Sequence, residues 1–259
     1  MGRLQDKVAI INPGGQSISA GIATRFAQEG AKVALLDGDA SAGEKTARAI
    51  GAEFTRVDPS NQAALTSAVQ RVGEKHGRID VIVVGGDDMS GAAAWKPVEE
   101  MTDTEFKAAM DRDVWGALWT LRAALPYMRQ HGASIIFIFS PFGQYASRHV
   151  GDQMTSRWGA LGLSRTIANE WGRFGIRTNT LVPLANTPGY QAYRARGPQT
   201  VDQRLSATPM KRAGDPVKDI GGAALFLASD DTRYLNGQVV HADGGSFLST
   251  PVVEAVWDS

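Results

Sequence analysis

Cysteine is missing from all 259 residues, which excludes disulfides, thiolate catalysis and thiolate metal sites and fits a chain of the reducing cytoplasm. An excess of either charge is missing too. The 27 basic residues are matched by 27 acidic ones, and no basic cluster offers the footprint that a phosphate backbone requires, so nucleic acid is not an expected partner. Long apolar runs are also lacking: none approaches the ~20 residues of a membrane span, and the opening MGRLQDKVAIIN is too polar for a signal peptide. No membrane attachment is expected. Low-complexity tracts, short repeats and linkers do not occur, which leaves one domain over residues 1–259.

What is present is an alternation of short β-branched runs with helical patterns, the mark of repeated βαβ units around a parallel sheet covered on both faces. The fold class expected is therefore α/β, a doubly wound, Rossmann-like sheet. Strands are predicted at Val8–Ile11, Lys32–Leu36, Glu53–Val57, Val81–Val84, Ser134–Phe139, Arg177–Val182 and Gln238–Ala242. A first helix is predicted over Ile18–Gln28, with Ile22 and Phe26 on its buried face and Gly30 as its stop. Thr102 followed by Glu105 makes a capping box ahead of a helix that runs on through the apolar stretch to Pro126. Residues 184–208, rich in Pro, Gly and Arg with little periodicity, are a candidate substrate lid within the domain, the alternative being a plain surface loop.

After the first strand, Asn12-Pro13-Gly14-Gly15-Gln16-Ser17-Ile18-Ser19 leads into the first helix, where a dinucleotide fold places its pyrophosphate. Asp37 ends the second strand, where an acid accepts from a ribose 2′-OH and repels a 2′-phosphate; Asp58 follows the third. Both could equally be solvated strand-end acids. Later, Ile176-Arg177-Thr178-Asn179 precedes Pro183, and Gly237-Gln238 precedes Asp243-Gly244-Gly245.

With these motifs nearly the whole chain resembles the short-chain dehydrogenase/reductase family. The resemblance implies a Thr-Gly-x-x-x-Gly-x-Gly loop, onto whose glycines Pro13, Ser17 and Ser19 fall. Gly14, Ser17, Ile18, Asp37 and Asp58 are the positions it implies for cofactor contact. Because Pro fixes φ and serine Cβ atoms crowd an approaching phosphate, the reading is that no cofactor binds, with NAD the choice if any nucleotide does. Ser17 or Ser19 is expected to cap the helix instead.

The resemblance also implies a catalytic serine, a Tyr-x-x-x-Lys pair and a relay asparagine. Ser140 matches the serine; thirteen residues on, Gln153 stands at the tyrosine position and Arg157 at the lysine position. Asp113 stands at the asparagine, and Val84-Gly85-Gly86-Asp87 replaces the family's Asn-Asn-Ala-Gly. Gln has no proton to exchange and a guanidinium is a permanent cation, while a positioned acid is worth roughly 10²–10⁴ in rate.

Ordinary hydride transfer is therefore expected to be lost. Two readings follow: a non-redox enzyme working in the old cleft through Ser140 and Arg157, or a catalytically silent subunit of an oligomeric family enzyme. The first has a parallel in halohydrin dehalogenases, which are similar in lacking the glycine loop and in carrying Arg for Lys. The alternative is an NAD-dependent oxidoreductase with a substitute acid or base, for which Tyr145, His149, Asp87, Asp113 and Asp152 are the titratable candidates. A small molecule in the cleft, and a homo-oligomer or a hetero-oligomer with an active family member, are the expected partners. No metal is expected.

Overall fold

The computed structural model describes residues 2–85, 96–139 and 148–248. Its elements run in chain order as β1 (Val8–Asn12), α1 (Ser17–Gln28), β2 (Lys32–Asp37), α2 (Ala40–Ile50), β3 (Glu53–Arg56), α3 (Gln62–His76) and β4 (Val81–Val84). Then come α4 (Asp103–Met110), a π-helical turn (Asp111–Trp115), α5 (Gly116–Ala124), β5 (Ala133–Ile138), α6 (Gly151–Trp171) and β6 (Ile176–Pro183). The chain closes with α7 (Pro188–Arg196), α8 (Pro198–Ala207), α9 (Gly221–Ala228) and β7 (Val239–Ala242). No helix among the described residues is long and apolar enough to cross a membrane.

The strands form one parallel sheet in the order β3-β2-β1-β4-β5-β6-β7. Strand order reverses between β1 and β4, so the carboxyl ends of those two strands open the crevice where such sheets bind ligands. Alternation along β1 explains the two-layer core. Ala9 and Ile11 join α1 and α9 through Ile18, Ile22, Phe26 and Leu225, whereas Val8 and Ile10 join α3 and α5 through Leu65, Val69 and Leu121 on the other face. Strands buried on both sides have to be apolar throughout, which is why β4 reads Val-Ile-Val-Val.

The capping box is formed: Thr102 accepts from Glu105 N while Glu105 accepts from Thr102 N at 2.9 Å. Lys96 and Thr102 together hold the Glu105 carboxyl down to about 2. Residues 184–208 are largely helical, as α7 and α8, rather than irregular. Each of these helices starts on a proline, a residue tolerated only in a first turn, and Thr187 caps α7 through Tyr190 N.

Helix α1 packs against the segment entering α9 so closely that a Cβ on Gly21 would lie 2.5 Å from the Pro216 carbonyl oxygen. Backbone cannot swing aside as a side chain can. Gly21→Ala is expected to cost ~2 kcal/mol by overpacking, a fall in Tm of about 4–8 °C in a thermal melt.

Candidate active site

The nucleotide end of the crevice is built around Asp37. At the tip of β2 and only 7% exposed, its carboxylate accepts from Gly15 N at 2.7 Å and Asp39 N at 2.9 Å. A Cβ on Gly15 would sit 2.8 Å from that carboxylate oxygen and 2.9 Å from Gly43 N, so glycine is what allows the loop to reach the acid. Gly14 N donates to Leu36 O at 3.0 Å, and Thr46 Oγ1 to Gly15 O at 2.8 Å, which pins the loop against β2 and α2. Asp37 is therefore not a solvated strand-end acid. Asp58 is one: it is exposed, bonded by Ser60 N and Oγ, and held below the ordinary carboxyl value by those bonds.

Neither serine caps α1. Gln16 occupies the N-cap, with no side-chain bond, and the first turn carries no acid. Ser17 is instead the first helical residue at φ +54°, inside the left-handed region that favours glycine and costs other residues roughly 1–2 kcal/mol. The backbone shape of a glycine loop is thus kept by a serine. Ile18 and Ser19 point into the protein and are buried. Among the described residues no side chain caps the leading N–H groups of α1, an arrangement open to an anion.

The second half of the site lies on α6 and the π-helical turn. Gly116 N bonds Asp111 O, five residues back, and the widened turn carries Asp113 inward, to 8% exposure. Three donors meet its carboxylate: Arg112 Nε at 2.8 Å, Arg112 Nη2 at 3.1 Å and Ser156 Oγ at 2.6 Å. Burial alone would push the Asp113 carboxyl up, but the charges of Arg112 and Arg157 and the bonds from Arg112 and Ser156 outweigh it. The carboxyl lies below its ordinary value. Asp113 is accordingly an anion at neutral pH and not a proton donor.

Arg157, 4% exposed, keeps Nε and Nη1 buried with no hydrogen-bond partner among the described residues. It borders a small cavity with Asp113, Gly85, Phe139, Leu161 and Thr180. A water centre has about 10 Å³ to move in there, enough for a single molecule. Gly85, at φ +82°, forms one wall: its N–H bonds Asn12 O at 3.1 Å, and a Cβ would lie 2.9 Å from Ile138 O. Asn12 in turn donates to Thr120 at 2.9 Å, tying the end of β1 to α5.

Gln153 is half-buried one turn before Arg157, and its carbonyl accepts from Ser156 at 3.2 Å. His149 is exposed just before α6, and Asp152 has one buried carboxylate oxygen without a partner among the described residues. Ser140, Asp87 and Tyr145 lie outside the described residues. The structure therefore joins Asp113 to Arg157 and leaves Asp37 and Asp58 at the far end of the crevice. Arg112 and Ser156 were not singled out from the sequence. Only the Arg-Asp neighbours at 112 and 113 hinted at them.

A profile of the family described as Enoyl-(Acyl carrier protein) reductase matches residues 14–246. The 12alpha-hydroxysteroid dehydrogenase of Clostridium sp. is 31% identical over 257 residues, covering 95% of this chain and 98% of that one. Levodione reductase of Leifsonia aquatica is 31% identical over 260 residues, covering 94% and 95%. Among solved structures, a levodione reductase superposes with a TM-score of 0.83 at 28% identity, covering 95% of this chain and 99% of that one. A hydroxysteroid dehydrogenase from Escherichia coli gives 0.77 at 29%, covering 94% and 96%.

These relatives overturn the expectation that hydride transfer has been given up. They are named for redox activity along their full length, so neither a silent subunit nor a non-redox enzyme is the reading they support, and an absent cofactor is not supported either. Changes at Pro13, Ser17, Ser19, Gln153, Arg157 and Asp113 do not by themselves abolish redox chemistry, because a fold can bring a proton by a route other than one side chain. Sheet order, crevice and full-length likeness agree that this chain belongs to the short-chain dehydrogenase/reductase family.

Proposed function

We propose that the chain is a nicotinamide-dependent oxidoreductase that interconverts a ketone and a secondary alcohol, prefers NAD to NADP, and uses a substitute for a tyrosine acid. The observation that carries this reading is the buried guanidinium of Arg157, whose Nε and Nη1 have no hydrogen-bond partner among the described residues, beside the carboxyl ends of β4 and β5. The residues present fit the cofactor. Asp37 suits the ribose diol and repels a 2′-phosphate, and the uncapped start of α1 suits a diphosphate.

When bound, the nicotinamide supplies or accepts the hydride at the carbonyl carbon. In reduction the chain's own task is to bring a proton to the carbonyl oxygen. Arg157 opposes the developing negative charge and holds a water in its cavity. An O–H bond of that water breaks as the alcohol O–H forms, and the hydroxide left beside the guanidinium regains its proton from solvent. Asp113, ionised and on the same cavity, sets a negative charge near Arg157 and takes no proton. Helices α7 and α8, clasped by Arg194 to Asp202 at 2.6 and 2.9 Å, serve as the substrate lid. Trp115 and Trp158, 44% and 52% exposed on neighbouring helices, support an oligomer, with itself or with a related subunit.

Calorimetric titration is expected to give a micromolar Kd for NADH and one at least tenfold weaker for NADPH. A panel of cyclic ketones then identifies the substrate from NADH oxidation. Absence of heat with both nucleotides overturns the reading.

A further inference from the structure

Side chains alternate along β6. Leu181 joins the layer of α1 and α9, whereas Val182 packs with Leu161 of α6 on the other face. Thr180 shares the α6 face with Val182 and is 1% exposed. Burial at such a place favours valine, a β-branched residue of the same shape, because a buried hydroxyl is costly unless it is hydrogen-bonded. Thr180 meets that requirement once: its Oγ1 lies 3.2 Å from Oγ of Ser164, which α6 turns toward the sheet and buries.

Counting protons fixes the direction of this bond. A serine hydroxyl has one hydrogen, and Ser164 donates it to Leu161 O at 2.8 Å. Thr180 is therefore the donor to Ser164, which commits its own hydrogen and leaves Oγ1 with acceptor capacity only. Thr180 also borders the small cavity beside Arg157, together with Asp113 and the apolar walls of Phe137, Phe139 and Leu161. Arg157 can only donate, and the Asp113 oxygens already accept from three donors. A buried water makes about three hydrogen bonds, so the one in this cavity needs an acceptor as well as the guanidinium.

We infer that Thr180 is a positioning residue for carbonyl reduction: it accepts one hydrogen of the water held by Arg157 and thereby turns the other toward the carbonyl oxygen of the substrate. The inference rests on the oxidoreductase reading of the site. The water oxygen accepts an N–H of Arg157, and one O–H is donated to Thr180 Oγ1. The second O–H is the bond that breaks as the alcohol O–H forms. Hydroxide remains against the same two partners until solvent returns a proton. The series Thr180, Ser164, Leu161 O ends on a backbone carbonyl, so it conducts no proton from outside; what it supplies is direction.

Thr180→Val keeps the shape and removes the acceptor. With a native circular dichroism spectrum, its kcat for ketone reduction is expected to fall about tenfold, the worth of one hydrogen bond at the reacting group, while the ketone KM and the NADH Kd hold. Thr180→Ser is expected to restore most of the rate. Thr178→Val is the control. Thr178 is buried two residues earlier on the same face, does not border the cavity, and its Oγ1 has no hydrogen-bond partner among the described residues, so kcat should be unchanged. Crystals of the parent and of Thr180→Val give a readout without turnover: water density within hydrogen-bond distance of Arg157 and of Thr180 Oγ1 in the parent, lost or displaced in the variant. A Thr180→Val enzyme as fast as the parent overturns the inference, and so does a cavity water bonded to Asp113 and not to Thr180. A parent chain that binds no NADH sinks the oxidoreductase reading instead, and the crystals decide the placement of the water in either case.

Discussion

Arg157→Met is expected to give a folded but weakened protein with carbonyl reduction slowed roughly 10²–10³-fold, the usual loss when a positioned electrostatic donor is removed. Arg157 shares a cavity and a Coulombic attraction with Asp113 but no hydrogen bond among the described residues, so its loss costs less than the roughly 3–5 kcal/mol of breaking a buried ion pair. Arg112 and Ser156 still bond Asp113, so about 2–3 kcal/mol is expected here. Asp113→Asn in the same chain should return part of that stability, because the neutral amide needs no countercharge, and a double-mutant cycle reads the coupling directly.

The pH dependence has a definite sign. The folded Asp113 carboxyl lies below its ordinary value of 3.8, so it contributes stability above that value and loses it as pH falls through the lower, folded one. Removing Arg157 takes away one of the charges that lowers it. Stability of the variant is then lost at higher pH than that of the parent, which melting curves between pH 3 and pH 7 measure. A variant as stable and as active as the parent would remove Arg157 from the site.

For Asp37→Ala the expected result is a loss of cofactor discrimination. The substitution removes the acceptor for a ribose diol and the negative charge that repels a 2′-phosphate, so NADH affinity should fall about tenfold or more while NADPH affinity holds or rises. Gly15 N and Asp39 N lose their partner together, which leaves two donors unpaired at about 1–3 kcal/mol for each one that water does not reach. Asp37→Asn keeps an acceptor oxygen for one of them and should fall in between. Unchanged preference in both variants would mean that Asp37 only shapes the loop.

Strands were legible wherever burial on both faces forced continuous apolar runs, and β4 is placed at Val81–Val84 by sequence and structure alike. Ends slipped by a residue where polar neighbours such as Asp37 and Asn12 continue the ladder. Helices α7 and α8 were not legible. Pro188, Gly197 and Pro198 read as loop residues until a proline is seen to occupy a first turn and a glycine the joint between two short helices.

In the candidate site, position numbers along α6 correctly set Gln153 and Arg157 one turn apart, but the surroundings of Asp113 were hidden. Ser156 reaches Asp113 across 43 residues of sequence, and no local pattern encodes which carboxylate a fold will bury or which donors will gather on it. Nor does a missing phenol reveal whether another proton route exists.

The widened turn at Asp111–Trp115 also bears on how this chain tolerates changes in length. Such a turn holds one more residue than the regular helix on either side of it. Loss of a single codon there would let α4 and α5 run on as one uninterrupted helix, with the hydrophobic layer beneath largely intact. Residues outside the turn would keep their faces, while those within it would shift by about 100° around the axis, carrying Asp113 away from Ser156 and Arg157. A chain shortened in this way keeps its fold and loses its site, so this helix can accept substitutions far more readily than it can accept a change in residue count.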